Sequence, residues 1–197
     1  TAGTGGFGCS DDYIWLINAT SQGAYTLGST VGTGVAAGNT INIQGRRNNC
    51  TAGAGCSGTS YTTLASWAVV AQPASPTGGT KSPNLTNICT GTDVSLSSPT
   101  AGTGGDGCSD DYIWLINGSS QGAYTLGSNV GSGAAAGDVI TIQGRRANCT
   151  SGAGCTSSSY STLATWTVNA QPTGPSGGTK SPNLTNTCQG TNVSLAS

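Results

Sequence analysis

The sequence predicts an all-β fold made of tandem β-sandwiches, one for every 99 residues, and three observations lead there. The stretch GCSDDYIWLIN at 8–18 returns at 107–117, and setting residue 1 on residue 100 through 98 on 197 gives identity at roughly three-quarters of positions without a gap. Self-similarity at a fixed period marks a repeat architecture. The apolar runs are short, rich in β-branched and aromatic residues, and bounded by Gly, Pro, Asn and Ser, with no helical periodicity. The eight cysteines, at 9, 50, 56, 89, 108, 149, 155 and 188, fall into four classes spaced by 99. In a small glycine-rich unit without histidine that pattern reads as a disulfide framework, which places the chain outside the cell, secreted or on its surface.

Within one repeat the strand signals fall at Leu85–Ile88, Thr92–Ser98, Asp110–Asn117, Ala123–Gly127, Asp138–Arg146 and Ser161–Ala170. The segments between them, such as TAGTGGDG, NGSSQG and GSNVGSGAAAG, carry turn residues and are read as loops. Six or seven strands in a unit of this size is the count of an immunoglobulin-like sandwich. The run Tyr112 to Ile116 is apolar on both faces, so it reads as a central strand with Trp114 as the core anchor and Trp166 as its companion. The proline-containing segments VAQPASPTGGTKSPNLTN and NAQPTGPSGGTKSPNLTN read as linkers. They divide the chain into 1–75, a sandwich lacking its opening strands; 76–174, a complete one; and 175–197, the opening strands of the next. Either the sequence is a window on a longer array, or the tail of one copy completes the head of the next by strand addition.

Charge is sparse: six Lys plus Arg, seven acidic residues that are all Asp, and a net charge of -1. Four of the cations sit in the pairs Arg46–Arg47 and Arg145–Arg146, which builds no basic field for nucleic acid or an anionic membrane. No apolar run approaches the ~20 residues of a membrane span, and no leader-like segment opens at Thr1. The paired carboxylates Asp11–Asp12 and Asp110–Asp111 are adjacent rather than set across a cleft, and with no Glu or His the chain offers no acid–base or nucleophile–base pair, so no enzyme is expected. These four aspartates have two readings. One is a Ca²⁺ site of hard oxygen ligands, which would make Ca²⁺ the chain's one cofactor. The other is ion pairing with Arg46, Arg47, Arg145 and Arg146 from a neighbouring strand, which would fix strand register.

For the cysteines, the expected pairs are Cys50–Cys56 and Cys149–Cys155, each closing a glycine-containing turn, with Cys89–Cys108 left by elimination. Cys9 and Cys188 are then unpaired within one chain and meet across the junction between copies. Sequons at Asn18, Asn49, Asn84, Asn117, Asn148, Asn183 and Asn192 are candidate glycosylation sites in turns or linkers. With all four Trp in strand interiors, Tyr25, Tyr61, Tyr124 and Tyr160 remain as candidate platforms for a sugar ligand.

The pattern C-x-G-x-x-V-x-L at Cys89–Leu96 and Cys188–Leu195, the G-C-x-D-x-Y block and the IQGRR strand leading to a cysteine resemble tandem immunoglobulin-like repeats of very large bacterial surface proteins. These include adhesins and extracellular filaments of Bacteroidetes-like bacteria. The resemblance implies location and architecture and assigns no catalytic residue. The expected function is therefore a structural part of an extracellular filament or stalk, whose partners are further copies of itself. The alternative is an adhesin module that binds carbohydrate or another surface ligand.

Overall fold

The computed structural model describes residues 1–196, in thirteen strands and no helix. They are β1 Ser10–Ile17, β2 Thr20–Ala24, β3 Thr40–Asn48, β4 Thr62–Ala68, β5 Thr80–Ser82, β6 Asn87–Cys89, β7 Ser95–Ser97, β8 Ser109–Ile116, β9 Ser119–Ala123, β10 Val139–Ala147, β11 Ser161–Asn169, β12 Thr179–Ser181 and β13 Ser194–Ala196. β1 to β4 form a sheet in the order β2-β1-β3-β4, and β8 to β11 form the same sheet with β6 added at its edge, β6-β11-β10-β8-β9. β5 pairs with β7 and β12 with β13 in two-stranded sheets. No helix among the described residues is long and apolar enough to cross a membrane.

Alternation along β10 and β11 builds the core. Ile140 and Ile142, with Ala164, Trp166 and Val168 and with Ile88 of the neighbouring β6, point to one side of the five-stranded sheet, where Val94, Leu96 and Tyr124 close over them. Val94, Leu96, Ile140, Ile142 and Trp166 are fully buried. The Trp166 indole donates to Pro83 O (3.0 Å), and Lys81 Nζ lies 4.8 Å from its ring centre. The anchor is therefore Trp166. Trp114, expected in that role, packs half-buried at the flank of the cluster.

Segment 119–123, read from the sequence as part of a loop, is strand β9. The cause is the Asn117–Gly118 pair, whose φ angles of 51° and 78° make a two-residue hairpin turn of the twist that antiparallel strands favour. The strand expected at Ala123–Gly127 accordingly ends at Ala123. In the first repeat the same turn is Asn18–Ala19, with Ala19 at φ 68°. A Cβ in that left-handed region costs roughly 1–2 kcal/mol. Ala19→Gly should raise the unfolding free energy of the first repeat by about 1 kcal/mol, and Gly118→Ala should lower that of the second by a similar amount, both read from denaturant midpoints. An unchanged midpoint in either variant would contradict the turn assignment.

Candidate functional site

The chemistry of this chain is concentrated where the repeats join, and the paired residues Asp-Asp and Arg-Arg organise it. Antiparallel register sets Asp11 opposite Arg47 and Asp12 opposite Arg46, and likewise Asp110 opposite Arg146 and Asp111 opposite Arg145. Arg145 Nε and Nη2 both donate to Asp111 (3.0–3.1 Å), as Arg46 does to Asp12. The guanidiniums also stack on tyrosines, Arg46 over Tyr61 at 4.4 Å and Arg145 over Tyr160 at 4.5 Å. The second pair reaches further: Arg146 Nη1 donates to Asp110 (3.1 Å), its Nε to Gly104 O (2.8 Å), while Gly102 N–H donates to Asp110 (2.9 Å). The glycine loop 100–107 is thus clamped to the sheet.

That clamped loop seats the incoming linker. Ala74 and Thr103 exchange backbone hydrogen bonds, as do Thr77 and Thr100, and Gly105 N–H donates to Ala71 O (2.7 Å). Pro76 is buried against Gly144, where a Cβ would come within 2.7 Å of its Cγ, so only glycine leaves room for it. Ser161 Oγ donates to Pro76 O (3.1 Å). At the corresponding place in the first repeat, Gly45, Thr62, Leu64, Tyr13 and Arg47 line an open groove of about 360 Å³.

The contrast extends over the whole inner face of the first sheet. Trp67 is 51% exposed where Trp166 is 0%. Tyr25 and Ile41 are half-exposed where Tyr124 and Ile140 are buried, and Leu64 is exposed. Beside the end of β4 a second cleft, about 640 Å³, is lined by Trp67, Val69, Val70, Gln72 and Cys155. The segment 175–197 mirrors this, with Val193 at 69% and Leu195 at 68% exposure, against 0% for Val94 and Leu96.

The structure corrects the disulfide pairing. Cys9 bonds Cys50 and Cys108 bonds Cys149, each across 41 residues, whereas Cys56, Cys89, Cys155 and Cys188 are free thiols. Ser10 lies opposite Asn48 and Ser109 opposite Ala147, so the two chains run out of the sheet side by side with their cysteines adjacent. The expected Cys50–Cys56, Cys149–Cys155 and Cys89–Cys108 pairs do not form, and Cys9 is not free. A short glycine turn permits a local bridge, but the ladder brings the distant cysteine closer.

Of the aspartates weighed as Ca²⁺ ligands, Asp11, Asp12, Asp110 and Asp111 all face guanidiniums, and no group of three or more potential metal ligands occurs among the described residues. All seven sequon asparagines are exposed. Four occupy turns at positive φ: Asn18, Asn49, Asn117 and Asn148. Asn117 Oδ1 accepts from Val139 N–H while its amide donates to Asp138, a local reason for asparagine that owes nothing to a glycan. Asn84, Asn183 and Asn192 lie on the opening segments, outside these turns. Among the tyrosines, Tyr124 is buried and exchanges hydrogen bonds with Leu96, Tyr61 and Tyr160 stack on arginines, and Tyr25 donates to Ser29 O. The broadly exposed aromatics are instead Phe7, in the glycine loop before β1, and Trp67, which the sequence placed in a strand interior.

Among known proteins, the chain matches no family model, no curated protein and no solved structure.

The Gly3 N–H and the Arg47 guanidinium hold the Asp11 carboxyl below the ordinary aspartate value of 3.8, and Arg46 with Tyr61 does the same for Asp12. A depressed carboxyl contributes stability that is present above its unfolded value and lost as pH falls through the folded one. The first sheet should therefore hold constant stability down to about pH 4 and weaken below it, followed by denaturant midpoints from about pH 6 to about pH 2. Asp12→Asn should flatten part of that decline; an acid profile identical to the parent would show that the ladder does not contribute.

Proposed function

We propose that this chain is a structural segment or subunit of an extracellular filament or stalk, built of tandem disulfide-stabilised immunoglobulin-like sandwiches of 99 residues joined head to tail. The observation that carries this is the match between two exposed surfaces. The inner face around Trp67 is open, and residues 175–197 present the side chains whose equivalents, 76–98, cover that face in the second repeat. The occupant of the open face is then the 175–197 segment of a second copy. Pro175 enters the groove at Gly45 as Pro76 does at Gly144, and Val193 and Leu195 cover Trp67 as Val94 and Leu96 cover Trp166. This is β-strand addition between identical subunits, a heterologous contact that propagates instead of closing.

Apolar burial supplies the driving force at roughly 25 cal/mol per Å². The two disulfides fit an oxidising, extracellular setting. Each sandwich would advance the fibre by roughly 35 to 45 Å, given strands of about eight residues at ~3.3 Å plus loops.

The test is assembly of the 197-residue chain. Light scattering should rise with protein concentration, and electron micrographs should show unbranched fibres with one copy per two sandwiches. The double variant Val193→Asp, Leu195→Asp should stay monomeric with the second repeat folded. A parent chain that stays monomeric at all concentrations would contradict the proposal.

A further inference from the structure

The head-to-tail reading leaves a chemical question that the free thiols answer. Cys89 and Cys188 are one class, carried on the opening segment, and Cys56 and Cys155 are the other, carried in the glycine loop after the internal disulfide. One side chain locates both classes. Gln171 Nε2 donates to the carbonyl of Thr90 (2.7 Å), the residue after Cys89, and Cys89 itself lies opposite Asn169 in the β6–β11 pairing. Gln72, its equivalent 99 residues earlier, donates to Gly154 O (3.2 Å) and accepts from Thr156 N–H (3.1 Å), the two residues flanking Cys155. Gln72 thus fixes the loop cysteine of the following repeat, and Gln171 fixes the opening-strand cysteine of its own.

Overlaying the two glutamines by the repeat brings the two classes of cysteine to the same place. The cleft beside β4 agrees: its wall is the edge Ala68–Val70, equivalent to the β11 edge on which β6 lies, and Cys155 lines it. A strand carrying Cys188 and laid on that edge faces Cys155.

We propose that every junction is sealed by a disulfide between these classes, Cys89 of one copy with Cys56 of the next and Cys188 of one copy with Cys155 of the next. This rests on the head-to-tail proposal. It replaces the expected meeting of Cys9 with Cys188, since Cys9 is already bonded to Cys50. In each step two S–H bonds break and one S–S bond forms. The two protons and two electrons pass to a small-molecule or protein disulfide, which leaves as two thiols. All eight cysteines are then paired and the fibre is covalent through every sandwich, so denaturant alone cannot separate its subunits.

The experiment mixes isotope-labelled and unlabelled chains under assembly conditions with oxidised and reduced glutathione, then denatures without reductant. A ladder of covalent multimers should appear and collapse to monomer on reduction. Digestion at Lys, Arg and before Asp puts Cys89 on peptide 82–92 and Cys188 on 181–197. Mixed-isotope links from 82–92 to 48–81 and from 181–197 to 147–180 are expected. Cys89→Ser should remove the first link and keep the second. Fibres that form while these four thiols still alkylate, or that link cysteines of one class, would overturn the disulfide and leave the filament reading intact. Absence of fibres would overturn the filament reading, and the thiols are then read in two copies fused through one residue, which preserves the 99-residue period. Free Cys89 of the first copy and Cys56 of the second in that chain would overturn the disulfide as well.

Discussion

A β-sheet with an apolar inner face has to be covered, and this constraint organises the molecule. In the second repeat the cover is residues 76–98, whose Val94 and Leu96 lie over Ile140 and Trp166. They reach that position because the linker ahead of them is pinned, at Pro76 against Gly144 and at Ala74 against Thr103. The first repeat has the same sheet, the same Trp and the same Gly, with its face open. In the proposed head-to-tail assembly, this sheet and the 175–197 segment, one open and one exposed, would be matched between neighbouring copies.

Charge serves that geometry more than it serves chemistry. The Asp–Arg ladder is half-buried, and ion pairs of that kind add modest net stability. Its value is positional: Arg146 reaches through the ladder to Gly104 and holds the loop on which the linker is laid. The same ladder in the first repeat holds its own glycine loop, through Arg47 to Gly5 O and Gly3 to Asp11.

Much of this was legible in the sequence. The repeat, the all-β class and the strands at Asp110–Asn117, Asp138–Arg146 and Ser161–Ala170 follow from spacing and alternation, while the pairing of DD with RR stood open beside a Ca²⁺ site until the register was known. The hairpin at Asn117–Gly118 carries a recognisable signal, an Asn-Gly dipeptide between apolar runs, that the serine-rich context of β9 hid. The apolar run around Trp114 does not show how far it is covered: Trp114 shares the inner face with Ile142 and Trp166 but stands on β8, two strands farther from β6 than β11, where it is only partly covered, while Trp166 on β11 is fully buried. The disulfides were not legible because pairing depends on register: only when Ser10 is set against Asn48 do Cys9 and Cys50 become neighbours. Which cysteines stay free follows from that, whereas the contacts of Gln72 and Gln171, two exposed amides, are marked by no sequence pattern.

The central claim is that the open face of the first repeat is a seat for a segment of the 175–197 type. Trp67 reports on it directly. With the chain held dilute enough to be monomeric, a synthetic peptide of residues 175–197 is added and acrylamide quenching of tryptophan fluorescence is followed, with Trp67→Phe as the reference. The account predicts saturable protection that disappears in Trp67→Phe and is lost when the peptide carries Asp at positions 193 and 195. Quenching unchanged by excess peptide, with Trp67 as accessible as in the free chain, would contradict it.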